Sequence, residues 1–332
     1  MPRTGRVAPR PERPARSAPR TGGALSRIPR PLLVASAVAA ALLVGVQVGL
    51  TVTAVSLDRI DPVTVVGALS TLVLAQLSAA LAWRAALAAA GAHVSLRASV
   101  RCYGAGSLTN TLLPANAGNA VRIGLFARAV GRDASWLCGG ACIGLSLVRA
   151  ALFCLLLAGC VATGLMPGDM LVWSAAAVVL VASSIVLLRR RGGRRWQAVV
   201  LGVRGVSPAV LGWLALVMLL RFTAAALVLS ATDAHSPLTA AAAMLAASGL
   251  AATVPLTPAN VGIANASLTL ALVGVGLDAR SALVVGVVFH GLETAAGLGF
   301  GLFGLAAGAD TRRLAARLAP IRRRVLTTRT SS

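Results

Sequence analysis

Three arginines stand where the surrounding residues are apolar: Arg122, Arg149 and Arg221. A guanidinium held in hydrocarbon costs about 3 kcal/mol even on insertion scales, so each one needs a partner. Carboxylates are few. Glu293 is the only Glu besides Glu12, and His290 lies three residues before it on the same helical face. Three intramembrane arginines against one glutamate leave a positive surplus. An anionic ligand, such as a lipid phosphate gripped by Arg in bidentate fashion, would balance it. The alternative for each Arg is snorkelling or pairing with backbone carbonyls, most natural for Arg122 and least for Arg149. His290 and Glu293 fit either a proton relay or a structural Glu–Arg pair. No Ser/His/Asp constellation, phosphate loop or metal-ligand cluster accompanies them, so no catalysis, cofactor or metal is expected.

A second set of candidates is amide-bearing. The stretch Pro114-Ala-Asn-Ala-Gly-Asn-Ala-Val-Arg122 interrupts long apolar runs, and Pro258-Ala-Asn-Val-Gly-Ile-Ala-Asn-Ala266 echoes it. Pro114, Gly118, Pro258 and Gly262 mark expected helix breaks. Asn116, Asn119, Asn260 and Asn265 offer donors and acceptors where the backbone is interrupted. Half-helices starting there would point free N–H groups and partial positive charge at the hairpin tips, a ready site for phosphate or carboxylate. The same asparagines can equally cap their own helices.

The elements that must position these residues follow from composition. The 332 residues are 57% hydrophobic and 12% charged, with mean hydropathy +0.84, which places the chain among polytopic helical membrane proteins. Its 34 glycines suit close helix packing through small residues. The net charge of +22 comes wholly from Arg. Eight lie in the first 30 residues, six between Arg189 and Arg204 and seven from Arg312 to Arg329, all outside the apolar runs. Positive-inside topology accounts for that placement, so no nucleic-acid partner is expected. The five cysteines, an odd number without a Cys-x-x-Cys, read as packing residues.

The expected architecture is all-α: an inverted repeat of three spans plus one re-entrant helical hairpin per half. Residues 1–30 form an Arg/Pro-rich cytoplasmic tail expected to be disordered. The transmembrane domain covers 31–308, in halves of about 31–162 and 170–308, and 309–332 form a basic cytoplasmic tail. Full spans are expected at Leu32 to Leu57, Val63 to Trp83, Ala134 to Val161, Leu171 to Leu188, Pro208 to Ser230 and Ala282 to Ala307. The hairpins occupy Cys102 to Val130, entered from the inside, and Leu238 to Gly276, entered from the outside. On this topology Asp58, Asp61, Asp169, Asp233 and Asp278 all face outward, with Arg59 and Arg280 the only outward arginines. Both termini are then cytoplasmic, in a bacterial inner membrane.

At these residues the sequence resembles the transmembrane region of the lysylphosphatidylglycerol synthase family, the flippase-like integral membrane proteins, over roughly Leu32 to Ala307. The marks are Leu113-Pro114 to Gly118 with Arg122, then Arg149, then Pro255-Leu256-Thr257-Pro258 to Gly262. The resemblance implies acidic residues at or near three positions where this chain has Asn119, Asn265 and Val148. It also implies movement of an aminoacylated phospholipid between leaflets, while a separate soluble domain attaches the amino acid from tRNA. About 25 residues follow the last span, too few for that domain, so synthase activity is not expected.

The function expected is therefore binding and translocation of a phospholipid or glycolipid with an anionic or zwitterionic headgroup. Arg122, Arg149 and Arg221 would hold phosphate, and the four asparagines would position the headgroup. Two other readings stand beside it. One is a proton-coupled transporter of a small solute, with His290 and Glu293 as the coupling pair. The other is a non-transporting membrane subunit that docks a cell-envelope synthesis enzyme through its Arg-rich loops.

Overall fold

Apolar helices of this composition have no hydrophobic reason to associate inside a bilayer, so their packing rests on close approach of small residues. The computed structural model describes residues 42, 45–46, 49–50, 53, 61–113, 117–131, 134–162, 194–232, 236–251 and 261–329, all within one unit, Ser36–Ser332. The described elements are helices: α1 (Pro62–Ala89), α2 (Leu96–Leu112), α3 (Ala117–Val130), α4 (Ser135–Ala162), α5 (Arg194–Arg204), α6 (Pro208–Ser230), α7 (Pro237–Ala251), α8 (Val261–Gly274) and α9 (Ala279–Arg329). Four carry stretches long and apolar enough to cross a membrane: α1, α4, α6 and the Ala279–Ala307 part of α9. These correspond to the second, third, fifth and sixth expected spans. Of the first expected span only scattered helical residues are described. The fourth, with Pro114, Asn116, Pro258 and Asn260, lies outside the described residues.

Prolines at the first position start α1 and α6, where a missing N–H costs nothing. After α1 the chain turns through Gly91, whose φ of 82° suits a residue without Cβ. Ser95 then caps α2, accepting from the Ala98 N–H at 3.3 Å. Asp278 caps α9 in the same way, taking the N–H groups of Arg280 and Ser281 at 3.0 Å each. Hydrogen bonds from Ser281 above all hold its carboxylate below the ordinary aspartate range.

Cross-contacts give each helix a direction. Gly67 meets Leu227 and Gly205 meets Ala86, so α1 and α6 run antiparallel. Ser99 donates to Ala80 O at 2.7 Å and Ser107 to Gln76 Oε1 at 3.3 Å, so α2 climbs antiparallel to α1. Gly304, Gly301 and Gly297 of α9 lie beside Val100, Leu108 and Thr111 of α2. Hence α2 begins level with the Arg84 end of α1 and stops near the middle of α1 and α9. In the second half Arg221 reaches Ser248 near the end of α7, and Gly286 of α9 rests on Asn265 and Leu268 of α8. Helix pairings match between the halves: α1–α2, α2–α3, α3–α4 and α1–α4 in the first have counterparts α6–α7, α7–α8, α8–α9 and α6–α9 in the second. Across the halves, α2–α9 is matched by α4–α7 and α1–α9 by α4–α6.

Buried side chains gather in two cores. One holds Trp83, Leu87, Tyr103, Phe126, Leu214 and Phe300, with Trp83 stacked on Phe126 at 4.8 Å. The other holds Leu72, Leu229, Met244, Leu268, Phe289 and Leu292. They meet along a seam at Leu72/Ala75 on α1, Val217/Ala224 on α6 and Leu292/Phe300 on α9.

Two helices go beyond the expected arrangement. The Arg-rich connection contains α5, whose Gly202 abuts the backbone of α4, and Gly205 just after it abuts that of α1. The last span continues as one helix to Arg329, because Ala, Leu and Arg are all strong helix formers.

The α2–α9 crossing gives a direct test. A Cβ on Gly104 would stand 2.8 Å from Phe300 O, whereas nothing lies within 4 Å of one on Gly299. Gly104→Val should destabilise the purified protein by about 1–3 kcal/mol through overpacking. Gly299→Ala should leave its thermal midpoint in detergent unchanged.

Candidate functional site

Four of the spanning helices each contribute one polar or charged side chain from near the middle of its length: Gln76 (α1), Arg149 (α4), Arg221 (α6) and Glu293 (α9). With Tyr103 of α2 these line a cavity of about 200 Å³ whose remaining wall is Leu72, Ala75, Ala79, Val217 and Ala296. The cavity opens along the seam between the two apolar cores. Small alanines make the space, and the polar groups project into it because each stands on the seam-facing side of its helix.

The three arginines meet three different fates. Arg122 is buried at 8% exposure and spent on its own hairpin. Its Nη1 donates to Asn119 Oδ1 at 3.0 Å, its Nη2 to Ser107 Oγ at 2.9 Å and its Nε, at a long 3.5 Å, to Tyr103 O. The guanidinium also lies 4.1 Å from the centre of the Tyr103 ring. Such a desolvated cation–π contact contributes up to about 2 kcal/mol. Gly106 and Gly118 make this possible: a Cβ on Gly106 would overlap the Arg122 side chain, and one on Gly118 would overlap Gly106 O and the Asn110 amide. Asn110 Oδ1 in turn accepts the Gly118 N–H at 2.7 Å, capping α3 from across the hairpin.

Arg221 pairs through Nη2 with Glu293 Oε1 and makes a long 3.4 Å contact with Ser248 Oγ. The pair is not sealed: the two side chains are 30% and 20% exposed. On its far side, Glu293 Oε2 lies 4.0 Å from Nδ1 of the buried His290. Arg149 differs from both. It is exposed on the cavity wall and makes no hydrogen bond or ion pair with any described residue.

The expected site residues are therefore divided. Arg149, Arg221 and Glu293 converge on the cavity, with His290 directly behind Glu293. Arg122 and Asn119 form the hairpin clasp beside it, and Asn265 sits on α8 against Gly286, with its backbone carbonyl taking the Thr269 hydroxyl at 2.8 Å. Gly118 and Gly262 fall just past the breaks, in the first turns of α3 and α8, and Gly262 faces open space. Gln76, Tyr103, Ser107, Asn110 and Ser248 join the site without being among the candidates read from the sequence. Two carried a signal: Gln76 is the one amide in its apolar run, and Tyr103 is the only Tyr of the chain, four residues before Ser107.

Chemically, the arrangement offers two guanidinium groups, one amide and one tyrosine around a small space, with a single carboxylate as internal counter-ion. It suits an anion with several acceptor oxygens. Residues 32–301 match the sequence profile of the lysylphosphatidylglycerol synthase TM region. No curated protein and no solved structure matches the chain. The match runs through both halves and takes in every residue that lines the cavity, and the chain therefore belongs to the lysylphosphatidylglycerol synthase transmembrane-region family.

Proposed function

We propose that this multi-pass membrane protein binds the phosphate-bearing headgroup of a phospholipid or glycolipid in the mid-membrane cavity and moves it between leaflets. The observation that carries the reading is Arg149, a guanidinium on the cavity wall at the middle of a span with no described partner. A charge in that position is expensive unless a ligand or water meets it. Cavity size argues for a lipid. About 200 Å³ holds a headgroup, whereas sites that enclose drug-sized ligands run to about 300–1,000 Å³. The acyl chains would stay in the bilayer.

The matched helix pairings of the two halves, with α1 antiparallel to α6, support an inverted repeat, and the mid-depth ends of α2 and α7 support re-entrant hairpins. The cavity on the seam between two separately packed cores suits alternating access, in which one core rocks against the other. Arginine clusters at one end orient that end, and both termini, towards the cytoplasm of a bacterial inner membrane. One further reading has an observation behind it: His290, close behind Glu293 of the cavity wall, supports a proton-coupled solute transporter with these two as the coupling pair.

Two variants separate ligand binding from folding. Arg149→Ala should slow translocation of a fluorescent phospholipid in proteoliposomes about tenfold or more, the loss of one charge-assisted contact of about 1.5–3 kcal/mol. Its thermal midpoint should stay near that of the parent. Arg122→Ala, which unties Ser107, Asn119 and Tyr103, should lower the midpoint strongly. Unchanged translocation in Arg149→Ala would falsify the lipid-translocase reading. A rate that follows an imposed pH gradient and collapses in Glu293→Gln would shift the function to the proton-coupled transporter.

A further inference from the structure

We infer that Glu293 is a tethered counter-anion, displaced from Arg221 by the phosphate of an incoming ligand, and that the cavity consequently selects net-anionic headgroups over zwitterionic ones. The inference rests on the site proposed above and assigns its substrate class and its mode of loading.

Charge comes first. The cavity wall carries Arg149, Arg221 and Glu293, and the clasp just behind Tyr103 adds Arg122, whose contacts are all with neutral groups. The other cavity-lining residues are uncharged. A monoanion entering this space neutralises a surplus. The ammonium of a zwitterion would meet three guanidinium groups in a medium where like charges repel strongly.

Geometry comes second. Arg149 and Arg221 line the same cavity of about 200 Å³. A phosphate held by both arginines competes with Glu293 for Arg221. The competition is feasible because the Arg221–Glu293 pair is partly exposed, so exchanging one oxyanion for another avoids the large desolvation penalty of opening a sealed pair. The released carboxylate has somewhere to go. His290 Nδ1 stands 4.0 Å from Glu293 Oε2, one rotamer adjustment away, one turn earlier on the same helix. Without a ligand, Glu293 keeps Arg221 from being an unpaired charge. With one, it yields the guanidinium and falls back towards His290.

The rival arrangement is a clamp, in which Glu293 holds the ammonium of a zwitterion while the arginines hold its phosphate. The two make opposite predictions for one substitution. Binding is measured on the full-length protein in detergent by native mass spectrometry with three probes: dihexanoyl phosphatidylglycerol, dihexanoyl phosphatidylethanolamine and glycerol 3-phosphate. Exchange predicts that the parent protein prefers phosphatidylglycerol to phosphatidylethanolamine by about tenfold, and that Glu293→Gln tightens phosphatidylglycerol about tenfold further. Glu293→Asp, one methylene shorter and so a weaker partner for Arg221, should tighten it to a smaller degree and serves if the amide variant folds poorly. His290→Gln should weaken it, since the displaced carboxylate loses its resting place.

Phosphatidylglycerol affinity unchanged or reduced in a folded Glu293→Gln protein overturns the inference and makes the ion pair a structural brace. Phosphatidylethanolamine bound as tightly as phosphatidylglycerol, and lost in the same variant, overturns it in favour of the clamp. Either result leaves lipid translocation standing. Glycerol 3-phosphate bound as tightly as the lipid, with the same gain in Glu293→Gln, supports exchange but assigns the site to a soluble phosphate, which sinks the lipid reading instead. A parent protein that takes up none of the three probes sinks both.

Discussion

A guanidinium cannot be left alone at the centre of a membrane, and most of what is distinctive in this fold follows from having three of them there. Arginine cannot shed its proton to escape the cost. The bundle meets the demand in three ways at one depth. Arg122 is wrapped in oxygens and a ring from its own hairpin, Arg221 is given the one carboxylate within the spans, and Arg149 faces a cavity. The first solution is complete within the protein, while the second leaves Arg221 Nε without an acceptor among the described residues. The third is met by no described residue, and that asymmetry is what the proposed ligand would resolve.

The small residues serve the same constraint. Gly106 and Gly118 bring α2 and α3 close enough for Arg122 to span both, and the glycines on α9 bring α2 close enough for Tyr103 to edge against Phe300 at 6.2 Å. Alanines at positions 75, 79 and 296 then leave the space in front of Arg149 and Arg221 unfilled. Dispersion between close backbones holds the helices together, while the polar layer divides the apolar interior into two cores. The cavity lies on the seam between them, where the proposed entry and release of a headgroup would take place.

Much of this was legible in the sequence because the bilayer enforces simple rules. Long apolar runs located α1, α4, α6 and the apolar part of α9 to within a few residues at most ends, with Pro208–Ser230 matched in full, although α1 continues past its expected end at Trp83 to Ala89. The interrupted runs around Pro114 and Pro258 correctly divided the chain into pairs of shorter helices. The pairing within the site was harder to read. Nothing in the spacing of Arg122 distinguishes a ligand-facing guanidinium from one clasping Ser107 and Asn119, since that depends on Gly106 letting two helices touch. Asn110 was invisible for a related reason: it caps a helix eight residues on across a turn, beyond the reach of local capping patterns. Gln76 stands alone in its apolar run, with no helix break or repeated motif to mark it, although an amide at the centre of a span also needs a partner.

Asn119 shows how sequence and charge come together. The family resemblance implies an acidic residue at this position, and the amide here takes over its geometry by accepting from Arg122 at 3.0 Å. It does not take over its charge. Val148, where the resemblance implies another acid, is buried in the apolar core and offers Arg149 neither charge nor hydrogen bond. With Asn119, Asn265 and Val148 all neutral, the charge around the cavity is that of three arginines against Glu293 alone. The amide of Asn119 keeps the hydrogen bond that ties down Arg122 without cancelling its charge. The packing of the hairpin and the charge at the cavity are thus set independently, and it is this cationic surplus that the proposed anionic headgroup would offset.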